Sequence, residues 1–137
     1  MAKDIYQELQ KQLDMYSLGF PATKSGIELK ILKKLFRKED AEMFLIMTQR
    51  LETAEQIAKR ADKPAEKIAA RLEDMTERGL LFRLKRGDLS KYAAIPFVHG
   101  LFEFQLKNLD KELAEMVDQY HKEQFSQNFH KIGGMFL

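Results

Sequence analysis

The chain has no cysteine among its 137 residues. That excludes a disulfide and any thiolate-ligated metal within it. It has no apolar run approaching the roughly 20 residues that a membrane-crossing helix needs, so no transmembrane segment is expected. The opening, MAKDIYQELQ, is acidic and amide-rich rather than basic and then apolar, which is not the order of a secretory signal peptide. These absences point to the cytoplasm. Catalytic signatures are missing as well: there is no HExxH, no glycine-rich phosphate loop and no Ser/His/Asp ordering. His99, His121 and His130 lie far apart and share no ligand spacing. His99 reads as a structural, partly buried residue, and the other two sit on a polar end. No enzymatic chemistry, metal or cofactor is expected within these residues.

What is present fits one helical domain. At 16.0 kDa, with 45% hydrophobic and 32% charged residues, the chain is large enough to bury a real core. Its net charge of +2 is unevenly spread. Residues 1–52 hold 9 basic and 8 acidic side chains, residues 53–91 hold 10 and 7, and residues 92–137 hold 4 and 6. The basic excess, +3, therefore falls on the middle segment and the tail is acidic.

That middle segment, residues 53–97, organises the chain. Thr53 with Gln56 makes a capping box that opens a helix carrying Ile57, Ala58 and Ala61 inward. A short turn, Ala61-Asp62-Lys63, leads to Pro64, whose missing N–H suits the first position of a second helix. Ile68, Leu72 and Met75 recur at spacings of four and three, and Gly79 stops that helix. The period then changes to two: Leu80, Phe82 and Leu84 alternate with Leu81, Arg83 and Lys85. Arg86-Gly87-Asp88-Leu89-Ser90 is a hairpin turn, and residues 91–97 return as a second strand ended by Pro96. The fold class expected is mainly α with a small β-hairpin wing: a winged helix-turn-helix of residues 25–97.

An amino-terminal helix and linker occupy residues 1–24, with Ile5, Leu9, Leu13 and Tyr16 on one face. The breaker GFPATKSG follows, and Ser25 with Glu28 reads as a second capping box. Ile27, Ile31, Leu32 and Leu35 mark the next helix, a charged corner at residues 37–40 follows, and residues 41–48 read as a helix buried all round. From about Val98 to Gln127 a long helix is expected. In it Phe102, Leu106, Leu109, Leu113, Met116 and Tyr120 repeat every three or four residues, a stripe that needs a partner. That partner is either the amino-terminal helices or a second copy, making residues 98–137 a dimerisation or docking element.

In a helix-turn-helix the second helix enters the major groove of duplex DNA. Here its outward face offers Lys63, Glu66, Lys67, Ala70, Arg71 and Asp74. Lys67 and Arg71, one turn apart, reach a base edge or a phosphate, while Glu66 and Asp74 oppose one. The wing supplies Arg83, Lys85, Arg86 and Lys91, a more consistently basic set for backbone contacts. The nucleic-acid-binding candidates are thus Lys63, Lys67, Arg71, Arg83, Lys85, Arg86 and Lys91. The competing reading is a solvated surface whose charges serve solubility.

Three segments, FPATKSGIELKILKKLF, GLLFRLKRGD and YAAIPFVHGLFEFQLKNLDKELAEM, make the chain resemble a particular family. It is similar to the amino-terminal winged-helix domain that precedes a 4Fe-4S ferredoxin-type domain in proteins of anaerobic bacteria and archaea. The resemblance runs from about residue 5 to residue 125, and IPFVHGLFEFQLKNLDKEL is its most specific stretch. It implies a regulatory or docking module of a larger iron–sulfur protein, with the cluster ligands beyond Leu137. The apolar ending Met135-Phe136-Leu137 is expected to mark a domain boundary. Two functions are therefore expected as alternatives: a DNA-binding-like regulatory module, or a docking or dimerisation module that binds no DNA.

Overall fold

Asp4 starts the first helix: its Oδ1 accepts the Tyr6 N–H at 2.9 Å, and α1 (Ile5–Asp14) buries Leu9 and Leu13 behind it. The computed structural model describes residues 4–16, 19–106 and 109–136; the side chains of 98, 99 and 127–136 lie outside that description. The α1 helix is tied to the chain that follows it. Gln10 Nε2 donates to the Phe20 carbonyl at 2.8 Å, and the Phe20 N–H donates to Asp14 Oδ1 at 2.9 Å.

Helix α2 (Ile27–Leu35) does not use the expected capping box. Gly26 takes the cap with φ 74, a left-handed turn that a Cβ would strain. Glu28 instead reaches past Ser25 to accept from the Thr23 N–H at 3.1 Å and the Thr23 hydroxyl at 2.6 Å. Helix α3 (Lys38–Ile46) follows almost at once. Asp40 Oδ2 accepts the Arg37 N–H at 2.9 Å and so caps its start, where the sequence showed no cap. It buries Ala41, Met43 and Phe44, with Glu42 exposed, so it is not apolar on every side.

Helix α4 (Ala54–Ala61) opens on the Thr53–Gln56 capping box, both bonds being present at 3.2 Å and 2.9 Å. It ends on Asp62 in the left-handed conformation, φ 55. Pro64, φ −60, then leads into α5 (Ala65–Glu77), which buries Ile68, Leu72 and Met75 against the rest. Gly79, φ 77, closes it.

The wing is an antiparallel pair, β1 (Phe82–Arg86) and β2 (Leu89–Ala93), joined by the two-residue turn Gly87-Asp88. Its register pairs Arg83 with Tyr92 and Leu84 with Lys91. The second strand begins earlier than expected, because Arg86 pairs directly with Leu89 across the tight turn. A single rung from the chain ahead of α4 joins the sheet: Glu52 and Tyr92 exchange backbone hydrogen bonds at 3.0 and 2.8 Å. The chain is therefore a winged helix-turn-helix, mainly α with a small β-hairpin wing.

The segment after β2 corrects the expectation of one helix beginning near Val98. A π-helical turn (Phe97–Leu101) and the short α6 (Phe102–Phe104) come first, and α7 (Lys111–Phe136) is a separate helix. Asp110 starts it anew, its Oδ1 accepting the Leu113 N–H at 2.7 Å. Helix α7 packs on α2, and α1 lies against α2 and α3. Phe20, Phe36, Phe44 and Phe97 are fully enclosed among them, each stabilising the fold by roughly 2–3 kcal/mol through burial. Phe20 stacks on Phe97 with ring centroids 4.2 Å apart, and Tyr120 of α7 lies 4.9 Å from Phe20. The Tyr120 hydroxyl donates to the Pro21 carbonyl at 2.8 Å.

Candidate nucleic-acid interface

Burial of Ile68, Leu72 and Met75 leaves a broad outer surface on α5, and its charges are sorted along the helix. Lys67, Arg71 and Asp74 follow one another at spacings of four and three, so they share one side. With Lys63 they line an open groove of about 680 Å³ against α3, closed on the far side by Arg37 and Met43. Glu66, Glu73 and Glu77 recur at seven and four residues along a neighbouring strip, about 100° round the helix. That strip faces the wing, because Glu73 meets both wing strands there: Tyr92 Oη donates to Glu73 Oε1 at 2.5 Å, and Arg83 Nη1 pairs with Glu73 Oε2.

The Glu73 cluster has a clear electrostatic signature. The Tyr92 hydrogen bond, with the nearby Arg83 and Lys85 charges, holds the Glu73 carboxyl below the usual carboxylate range despite partial burial. Burial and the same carboxylate push the Tyr92 phenol up to about 12. Asp74 is also compensated. Arg78 donates to it from Nη2 at 2.7 Å and from Nε at 3.2 Å, across one helical turn. Arg78 Nη1 and Nη2 meanwhile clasp Asp40, at 2.8 and 2.7 Å.

The seven basic residues expected to meet nucleic acid thus separate into three sets. Lys63, Lys67 and Arg71 are brought together in the α3–α5 groove. Lys85 and Arg86 stand exposed at the wing tip, and Lys91 lies partly buried across from Leu84. Arg83 is the exception, committed to Glu73 and fastening the wing to α5. Among the described residues, the other six side chains form no ion pair or hydrogen bond. Arg37 was not singled out from the sequence. It reaches the groove only through the packing of α3 against α5, which no local pattern signals.

The apolar stripe is divided between different environments. Leu113 and Tyr120 are buried and Met116 and Phe102 partly so, all four packing within this chain. Leu106 and Leu109 stay 52% and 37% exposed. Val117, which the stripe omitted, is buried as well. His121 is exposed and touches the edges of the Phe102 and Tyr120 rings, while the side chains of His99 and His130 lie outside the described residues. No group of His, Asp and Glu that could hold a metal ion occurs among the described residues. No helix among them is long and apolar enough to cross a membrane.

No protein-family profile matches the chain, and no curated protein sequence does. Among solved structures it is similar to a mutant of MepR of S. aureus bound to an oligodeoxyribonucleotide, at 16% identity and a TM-score of 0.41 over 97% of this chain and 93% of that one. A second S. aureus MepR mutant matches at 13% identity and a TM-score of 0.40, over 97% and 93%. MepR itself, described as a transcription regulator of the Staphylococcus aureus multidrug efflux pump MepA, matches at 16% and 0.31, over 97% and 90%.

Proposed function

We propose that this chain is a double-stranded DNA-binding regulatory module that lays α5 along the major groove and the tip of the wing beside the backbone. The observation that carries this is the state of the cations. Lys63, Lys67, Arg71, Lys85 and Arg86 are exposed and form no close ion pair or hydrogen bond among the described residues, although the Lys85 charge is felt by Glu73. Two acids of α5, Glu73 and Asp74, are each held by an internal arginine, while Glu39 and Glu42 line a crevice beside Lys63 and Arg71. Exposed cations on α5, the turn before it and the wing tip suit phosphates. Lys67 and Arg71, one turn apart, have the reach and donors to read guanine edges. Neutralising phosphates releases condensed counterions, so affinity for duplex DNA should fall steeply as salt rises. Fluorescence anisotropy of a labelled random-sequence duplex across a salt series tests this; absence of binding at the lowest salt counts against it.

A second reading is supported by Leu106, Leu109 and Phe104, apolar side chains the fold leaves in water. It makes the region around α6 a docking or homodimerisation surface. The resemblance to winged-helix domains preceding a 4Fe-4S ferredoxin-type domain supplies one partner for it, a downstream ferredoxin domain. Reading the gene past Leu137 tests that context: CxxCxxC spacings support it, and a stop codon removes it.

A further inference from the structure

Arg37 sits at the corner between α2 and α3, exposed, with no ion pair or hydrogen bond from its side chain among the described residues. Its position is nonetheless fixed. Its own N–H donates to Asp40 Oδ2 at 2.9 Å, and Asp40, 1% exposed, is gripped at both oxygens by Arg78 near the end of α5. A guanidinium with no ion pair or hydrogen bond of its own, its charge felt by the Asp40 carboxylate, is thus mounted on a backbone that is tied to α5 itself. It faces the groove that holds Lys63, Lys67 and Arg71.

The other side of the α5 surface is a poor place for a polyanion. Glu66 and Glu77 have no cationic partner among the described residues, and Glu73 consumes Arg83. Beyond Arg37 a second hollow, about 490 Å³, is lined by Lys33, Lys34 and Arg78, with Glu77 as its one acid. There Lys34 is drawn off to Asp110 at 3.1 Å and Glu112 at 3.2 Å, whereas Lys33 Nζ lies over the Tyr6 ring, 5.7 Å from its centroid. The acids facing the groove are Asp74, which Arg78 holds, and Glu39 and Glu42, which line the neighbouring crevice with Lys63 and Arg71.

We propose that the DNA surface extends off α5, on the side away from the wing, onto the α2–α3 corner, and that Arg37 is a backbone-phosphate contact there. The inference rests on the DNA-binding reading above and adds a contact remote in sequence from both helix and wing. A guanidinium offers a planar, two-pronged donor set suited to a phosphate. Because the phosphate is common to every nucleotide, Arg37 adds affinity without base preference.

The test compares the unsubstituted protein, Arg37→Ala, Arg37→Lys and Lys122→Ala on labelled duplexes of several sequences across a salt series. Arg37→Ala keeps the backbone N–H that caps α3, so its melting temperature should match the parent's. Its affinity should fall about tenfold, equally on every sequence, and the slope of log K against log salt should become shallower by about one. Arg37→Lys should keep most of the slope, and Lys122→Ala, a cation lost from α7, should leave it unchanged. If Arg37→Ala binds like the parent, or Lys122→Ala loses as much, the phosphate contact is wrong while the DNA-binding reading stands. If the parent binds no duplex, both fall together.

Discussion

Arg78 and Asp40 are joined at both ends of the carboxylate, Nη1 to Oδ2 at 2.8 Å and Nη2 to Oδ1 at 2.7 Å, across 38 positions of sequence. This pair fastens the last turn of α5 to the first turn of α3. Since Asp40 is buried and Arg78 only partly so, removing the arginine leaves a charge in a poorly solvated place. Arg78→Ala should destabilise the fold by about 3–5 kcal/mol, while replacing both partners with apolar residues should recover most of that loss. Urea unfolding of the two single variants and the double variant measures it. Burial pushes the Asp40 carboxyl up, but the Arg78 guanidinium and the Arg37 N–H outweigh it, and the group titrates below its ordinary value. A carboxyl lowered in the folded state adds stability above its unfolded value, about 3.9, and that stability drains away as pH falls through the native value. The melting temperature should therefore drop more steeply in acid for the parent than for Asp40→Asn.

The Glu73–Arg83 pair makes a prediction of the opposite sign for binding. Glu73→Gln removes a carboxylate from the wing side of α5 and releases Arg83 from its ion pair. Duplex affinity should rise several-fold, with a steeper salt dependence by about one unit. Stability should fall by about 1 kcal/mol as the Tyr92 and Arg83 contacts weaken. The Tyr92 phenol, no longer beside a carboxylate but still near Arg83, should titrate below its present value of about 12, which absorbance at alkaline pH reads directly.

Gly79 and Gly87 share a positive φ, 77° and 59°, but not their surroundings. A Cβ at Gly79 would lie 2.8 Å from Gln105 Nε2 and 3.0 Å from Phe104 Cβ, whereas one at Gly87 meets nothing within 4 Å. Gln105 Nε2 also bonds the Arg78 and Gly79 carbonyls, at 2.9 and 3.3 Å, so displacing it uncaps α5. Gly79→Ala should cost about 2–3 kcal/mol and Gly87→Ala about 1, the strain of the left-handed backbone alone. Thermal unfolding of the two variants separates them.

Along the apolar stripe, Leu113 is 4% exposed and Leu106 is 52% exposed. Leu113→Glu should unfold the chain whether or not it assembles, since a carboxylate has no partner in that core. Leu106→Glu and Leu109→Glu should leave the melting temperature within about 1 °C, because surface changes of this kind shift stability little. Sedimentation of these two variants then isolates assembly: if this surface makes a homodimer, the parent associates and they do not.

The helix-turn-helix core was legible because its signals are local. The Thr53–Gln56 capping box, the Gly79 stop and the change of period after it each depend on residues within a few positions. The interface was only half legible, because its electrostatics are tertiary. Nothing near Arg83 in sequence announces that it faces Glu73 across the turn after α5, nor does anything near Arg37 place it beside Lys67. The long helix was misjudged for a related reason. Three-and-four spacing carries straight from Leu106 to Leu113 through a break, and the cap at Asp110 is visible only once the Leu113 N–H is seen to bond it.

On the DNA-binding reading, a duplex lies on the cationic side of α5. Backbone amide chemical shifts, followed as a short duplex is added to the isotope-labelled protein, test it most directly. Shifts are expected at residues 63–74, at Arg37 and at the wing tip from Lys85 to Lys91, all weakening together as salt is raised. Shifts confined to residues 104–113, or none at the lowest salt, would contradict it.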